Sequence, residues 1–116
     1  MKDVVDLGSF VYNDEDSDVV IELKDDFGVA YPFTGATLIK LVCQPIQGGT
    51  AIEVTGSIYS IPNGQLLFAK VAQALTDPGP RGRQTYRCLP RWLKSGGVLT
   101  SFSRTEFRLT VERFPV

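Results

Sequence analysis

The stretch TEFRLTVER, residues 105–113, sets Phe107, Leu109 and Val111 at alternate positions, with Glu106, Arg108, Thr110 and Glu112 between them. Side chains on a strand point to opposite faces in turn, so this pattern makes one apolar and one wet face. A helix would scatter the same residues around its circumference. Working outward, VVIELK (19–24) repeats the alternation with Val19, Ile21 and Leu23 opposite Glu22 and Lys24. TLIKLVC (37–43) is apolar on both sides, which predicts a central strand buried on both faces. Further strands are predicted over 4–12, 51–61, 65–71, 84–92 and 98–103. They are separated by the turn-forming runs NDEDSD, DDFG, QGG, PNG, DPGPRG and KSGG.

Short strands at regular spacing predict an all-β, antiparallel β-sandwich of about seven or eight strands, with residues 1–116 as one domain. The segment LLFAKVAQALTD (66–77) leaves two alternatives. Its Ala and Leu content suits one helical turn near 70–76, ended by Pro78 and Gly79; an edge strand followed by a turn suits it equally.

The stretch DDFGVAYPFTGATLIKLVCQ (25–44) has a geometric reading. Asp25 and Asp26 with Gly28 make a hairpin turn, and Tyr31-Pro32 keeps the chain extended. Phe33 plugs the rim of the core, and Thr34-Gly35 steps into the central strand. No run approaches the length of a membrane span, and Asp3, Asp6 and Gly8 interrupt the only stretch where a signal peptide could lie. The sequence therefore predicts a protein made and used without secretion, with no membrane partner and with Cys43 and Cys88 reduced.

Composition narrows the chemistry. The 116 residues contain no histidine, which removes the commonest general base and the commonest transition-metal ligand. Asp14, Asp16 and Asp18 alternate like the first ligands of a calcium loop. Val19 stands where such a loop needs glycine, and Asp25 where it needs glutamate, so a solvated acidic loop is preferred over a metal site. Cys88 reads as a buried apolar group rather than a nucleophile. No phosphate loop and no catalytic constellation emerges, so the expectation is no enzyme, no cofactor and no catalytic residue.

Charge is segregated along the chain. Residues 1–26 hold nine acids against two lysines, and residues 27–116 hold four acids against ten bases. An acidic segment (Asp14, Glu15, Asp16, Asp18) and a basic one (Arg81, Arg83, Arg87, Arg91) are the candidate protein interface. Copies joined head to tail through them would form a homo-oligomer. The same arginines with Tyr86 and Trp92 could form a nucleic-acid ribbon, but a sequence pI near 5.3 argues against phosphate binding. Tyr12, Tyr31, Tyr59 and Trp92 are the available aromatic platforms for a carbohydrate-binding alternative, with Tyr31, Tyr59 and Trp92 as its candidate glycan residues.

Two resemblances sharpen these expectations. Tyr86-Arg87-Cys88 after DPGPRG resembles the tyrosine corner of immunoglobulin-like sandwiches, and that likeness would make Cys43 the earlier disulfide partner of Cys88. In this chain the tryptophan, Trp92, follows the second cysteine instead of lying between the two. The order DVVIELKDDFGVAYPFTGATLIKLVCQ, GSIYSIPNGQLLFAKV, PGPRGRQTYRC and EFRLTVER resembles, over residues 18–113, the N-terminal domain of phage baseplate upper proteins. The resemblance implies a structural protein of the virion of a tailed bacteriophage, assembled in the host cytoplasm. It would attach in several copies to other tail or particle proteins, with any receptor-binding part in a separate protein.

Overall fold

The computed structural model describes residues 3–113 and holds nine strands and one short helix among them. The strands are β1 (Asp3–Val11), β2 (Val19–Glu22), β3 (Thr37–Pro45), β4 (Ile52–Thr55), β5 (Ser57–Ser60) and β6 (Gln65–Phe68). After the helix α1 (Val71–Ala74) come β7 (Arg83–Leu93), β8 (Leu99–Ser101) and β9 (Thr105–Glu112). The larger sheet runs β1-β9-β7-β3-β4, with β8 paired to β7, and the smaller runs β2-β6-β5. This is an all-β sandwich of two sheets, with β9, β7, β3 and β4 side by side in the larger and β2, β6 and β5 in the smaller.

The alternation that predicts the strands also fills the core. Phe107, Leu109 and Val111 of β9 point inward, beside Tyr86, Cys88, Pro90 and Trp92 of β7 and Ile39, Leu41 and Cys43 of β3. The smaller sheet answers with Val19, Ile21, Leu66 and Phe68, and Leu23 follows on just beyond β2. Phe33 is fully buried, with its ring edge-on to Trp92 at 5.0 Å between centroids.

Three expectations need correction. The sheets are not wholly antiparallel, because β1 lies parallel to β9. These strands stand at opposite ends of the chain, so no hairpin forces them to run in opposite directions, and the intervening sandwich supplies the crossover a parallel pair needs. The single strand expected over 51–61 is two strands in different sheets, divided at Gly56. A Cβ on Gly56 would stand 2.4 Å from Phe68 Cε1 and 3.0 Å from Ile39 Cγ2. The chain can cross between sheets there because that space belongs to the core. β3 is buried on one face only; Lys40, Val42 and Gln44 are half-buried on the outer side. Of the two readings of 66–77, which the sequence leaves open, α1 bears out the helical turn.

The hairpin at 25–28 follows the sequence reading. Asp25 Oδ1 accepts from the backbone N–H groups of Phe27 and Val29, each at 2.9 Å, and Gly28 takes φ +77°. An aspartate, a short acceptor and a glycine that tolerates positive φ fix the turn between them. No helix among the described residues is long and apolar enough to cross a membrane.

Candidate interaction surface

The acidic loop between β1 and β2 divides into residues that build it and residues that only display charge. α1 starts at Lys70 in a left-handed conformation, and Lys70 makes no side-chain cap of its own. Its first amides are satisfied from across the chain. Asp18 Oδ1 accepts from Lys70 N–H at 3.0 Å, Ser17 O from Val71 N–H at 3.1 Å, and Ser17 Oγ from Ala72 N–H at 3.0 Å. The Ser17 hydroxyl donates in turn to Asp14 O at 2.7 Å, and Asp14 Oδ1 accepts from Asp16 N–H at 2.9 Å. Orphan amides at a helix start need such acceptors. Asp14, Ser17 and Asp18 therefore have local work, whereas the side chains of Glu15 and Asp16 have no hydrogen-bond or ion-pair partner among the described residues.

Ser17 is fully buried. Ser17→Ala is expected to cost about 1–3 kcal/mol, because it strands a buried amide and a carbonyl. A lower urea midpoint with unchanged m-value would register the loss.

The same bonds bear on the calcium-like spacing. Asp14 and Asp18 spend one oxygen each on backbone amides, and no three His, Cys, Asp or Glu side chains among the described residues gather as a metal ion would need.

The basic segment lies mostly on the outer face of the larger sheet. Arg83, Arg87 and Arg91 alternate along β7 with the buried row, so they share one face. Arg81 does not join them; it occupies the preceding loop at φ +56°. Cross-strand neighbours neutralise part of this row. Arg83 pairs with Glu112 at 3.2 Å and Arg87 with Glu106 at 3.0 Å, while Arg108 approaches the other oxygen of Glu106. Arg91 has no carboxylate partner among the described residues. Its register partner on β3 is Lys40, whose ammonium donates to Thr55 Oγ1 at 3.0 Å. Arg91 Nε is buried without a hydrogen-bond partner among the described residues. Two cations directly opposite each other repel; Arg87 and Arg108 are also register partners but share Glu106, whereas the Lys40–Arg91 pair has no ion-paired carboxylate among the described residues.

The topology sets these two charges at opposite ends. β1 ends at Val11 beside Glu112, and β7 begins at Arg83 beside the same residue; the acidic loop follows directly. Arg91 lies eight residues further along β7, about 26 Å away at strand rise, near the Lys94–Val98 turn. Nothing in the sequence separates Arg91 from Arg83 and Arg87, because the compensating carboxylates come from β9.

The aromatic candidates are largely withdrawn from solvent. Trp92 is fully buried, and Tyr31, half-buried, meets its ring edge at 5.8 Å. Tyr59, 59% exposed, is left as an open platform. The tryptophan turns inward because it shares the parity of Tyr86 and Cys88 on β7. The tyrosine-corner likeness also needs correction, since Tyr86 Oη is buried with no hydrogen-bond partner among the described residues.

Cys43 and Cys88 are both buried and free. They are register partners on adjacent strands of one sheet, not an inter-sheet pair of the immunoglobulin kind. The neighbouring Cys43 thiol and burial both push the Cys88 thiol far above its ordinary range, so in the closed sandwich it stays un-ionised and packs as a small apolar group.

The fold and these surfaces define an all-β sandwich whose distinctive exposed chemistry is charge. The chain matches no family model and no curated protein.

Proposed function

We propose that this protein is a structural module of a tailed-bacteriophage virion, working through contacts between copies and with neighbouring tail or particle proteins. The observation that carries the oligomeric part is the placement of carboxylates unpaired among the described residues (Glu15, Asp16) and of the Lys40–Arg91 pair at opposite ends of the larger sheet. Opposite charges at opposite ends favour a head-to-tail contact, and such a contact closes into a ring when its rotation permits. Electrostatic complementarity of this kind sets register and orientation between partners. The virion part rests on the resemblance to baseplate upper proteins over residues 18–113. Flanking tail and fibre genes are the expected genomic context.

Light scattering behind size-exclusion chromatography tests the contact. Multimers are expected at low ionic strength, with dissociation as salt rises, since rim charges are screened within about 10 Å at 0.1 M. Reversing Glu15 and Asp16 to lysine should weaken association by at least about tenfold. Combining that change with Arg91→Glu should restore part of it. A strict monomer at low salt and high concentration would overturn the oligomeric reading.

A further inference from the structure

The cysteines occupy a special position in the β3–β7 ladder. Their register is Cys43↔Cys88, with Pro45↔Tyr86 on one side and Leu41↔Pro90 on the other. Ile46 N–H donates to Thr85 O at 3.1 Å, which makes 46 and 85 a hydrogen-bonded pair. Bonded and non-bonded pairs alternate in an antiparallel ladder. Cys43 and Cys88, three steps away, therefore form a non-bonded pair, the closer of the two kinds. The other side of β7 agrees. Arg113 N–H donates to Gly82 O at 3.0 Å, and counting in twos along β7–β9 assigns the backbone groups of Cys88 to its partner Phe107. Both side chains point into the core, 0% and 3% exposed, with their sulfurs 3.6 Å apart.

We infer that Cys43 and Cys88 are an oxidative modification site, poised to close a disulfide across adjacent strands of the larger sheet. A non-bonded pair has its Cα atoms about 4.5 Å apart, within the span a disulfide bridges. The sulfurs need to approach by about 1.5 Å to reach bonding distance, with no change of strand register. The oxidant is a small-molecule disulfide such as oxidised glutathione. One cysteine sulfur, as its thiolate, attacks a glutathione sulfur, forming a mixed disulfide and releasing one glutathione thiol. The second cysteine sulfur then displaces the other glutathione. Two S–H bonds give way to one S–S bond, and the two protons and two electrons leave on two glutathione thiols. Burial makes the reaction slow in the closed sandwich, so it proceeds when the sheet opens or as it forms. Passage from a reducing cytoplasm to an oxidising medium would drive it. The inference uses only the core of the sheet and stands apart from the proposed assembly role.

The test is an equilibrium measurement on the whole chain in glutathione redox buffers, in native buffer and in concentrated guanidinium chloride. Approaching equilibrium from both the reduced and the oxidised denatured chain removes the barrier that burial imposes. After acid quench, maleimide labelling and intact mass count the remaining thiols, and Cys43→Ala marks the species that cannot close internally. A pair held in bonding geometry should form its internal disulfide at least about a hundredfold more favourably in native buffer than in denaturant. The oxidised protein should also melt several degrees higher and lose that gain on reduction. A native constant equal to or below the denatured one would overturn the inference. So would a product consisting of stable glutathione adducts or of disulfide-linked dimers.

Discussion

Replacing Trp92 by alanine is expected to lower the unfolding free energy by about 3–5 kcal/mol. The indole is fully buried and meets Phe33 and Tyr31 edge-on, at 5.0 and 5.8 Å between ring centroids. Tyr31 is in turn edge-on to Phe102 at 5.4 Å, and Phe102 lies 6.3 Å from Phe107. Truncation leaves a cavity in the middle of this chain of rings, and each well-placed aromatic pair adds roughly 0.5–1.5 kcal/mol beyond area burial. Small domains are stable by only about 5–15 kcal/mol, so the change should lower Tm by roughly 15 °C. Calorimetry reads it directly. Tyr59→Ala is the matched surface control and should leave Tm within a degree or two, because Tyr59 is mostly exposed. A Trp92→Ala variant as stable as the parent would mean that the indole does not sit in the core.

Gly56→Ala is the second change with a large expected effect. Its φ is not in the left-handed region, so the argument concerns space and not backbone conformation. The added methyl would stand 2.4 Å from Phe68 Cε1 and 2.6 Å from Cδ1, with Ile39 Cγ2 at 3.0 Å. Phe68 is fully buried and Ile39 nearly so, so neither has free volume to move into. Gly56 N–H also donates to Ile39 O at 2.8 Å, which ties the crossing point to β3 and stops the backbone from backing away. Overpacking of this kind costs about 1–3 kcal/mol and more where the surroundings cannot yield; we expect the upper end. Denaturant titration should show a lower midpoint. Phe68→Leu in the Gly56→Ala background should recover part of the loss by removing the ring edge. Failure of that rescue would assign the cost to something other than the clash.

Both changes mark the boundary between local and tertiary information. The alternation at 105–111 announces β9, because side-chain parity is a property of the chain itself and one-sided burial follows from it. The Asp25–Gly28 hairpin is legible for the same reason: the carboxylate oxygen and the glycine act within five residues. Gly56 is different. Residues 51–61 alternate well enough to read as one strand, and the need for glycine arises only when Phe68 and Ile39 arrive from elsewhere in the chain.

The candidate surface divides along the same line. The acidic cluster and the arginine series are visible as composition, and the shared outward face of Arg83, Arg87 and Arg91 follows from parity. Which charges remain available does not. Asp18 is taken by α1 across 52 residues of sequence, while the side chains of Glu15 and Asp16 find no partner among the described residues. Arg83 and Arg87 find carboxylates on β9, and Arg91 finds Lys40 on β3.

The sequence by itself determined an all-β sandwich, its turn chemistry, and an inventory that contains no histidine. These depend on period, on local hydrogen bonding and on residue type, which need no partner strand. The tertiary structure decided that β1 runs parallel to β9, that Trp92 is core and not platform, that the two cysteines face each other within one sheet, and that the charges unpaired among the described residues stand at opposite ends. Each of these depends on which strands become neighbours and in what register, and register is fixed by packing between segments far apart in the chain.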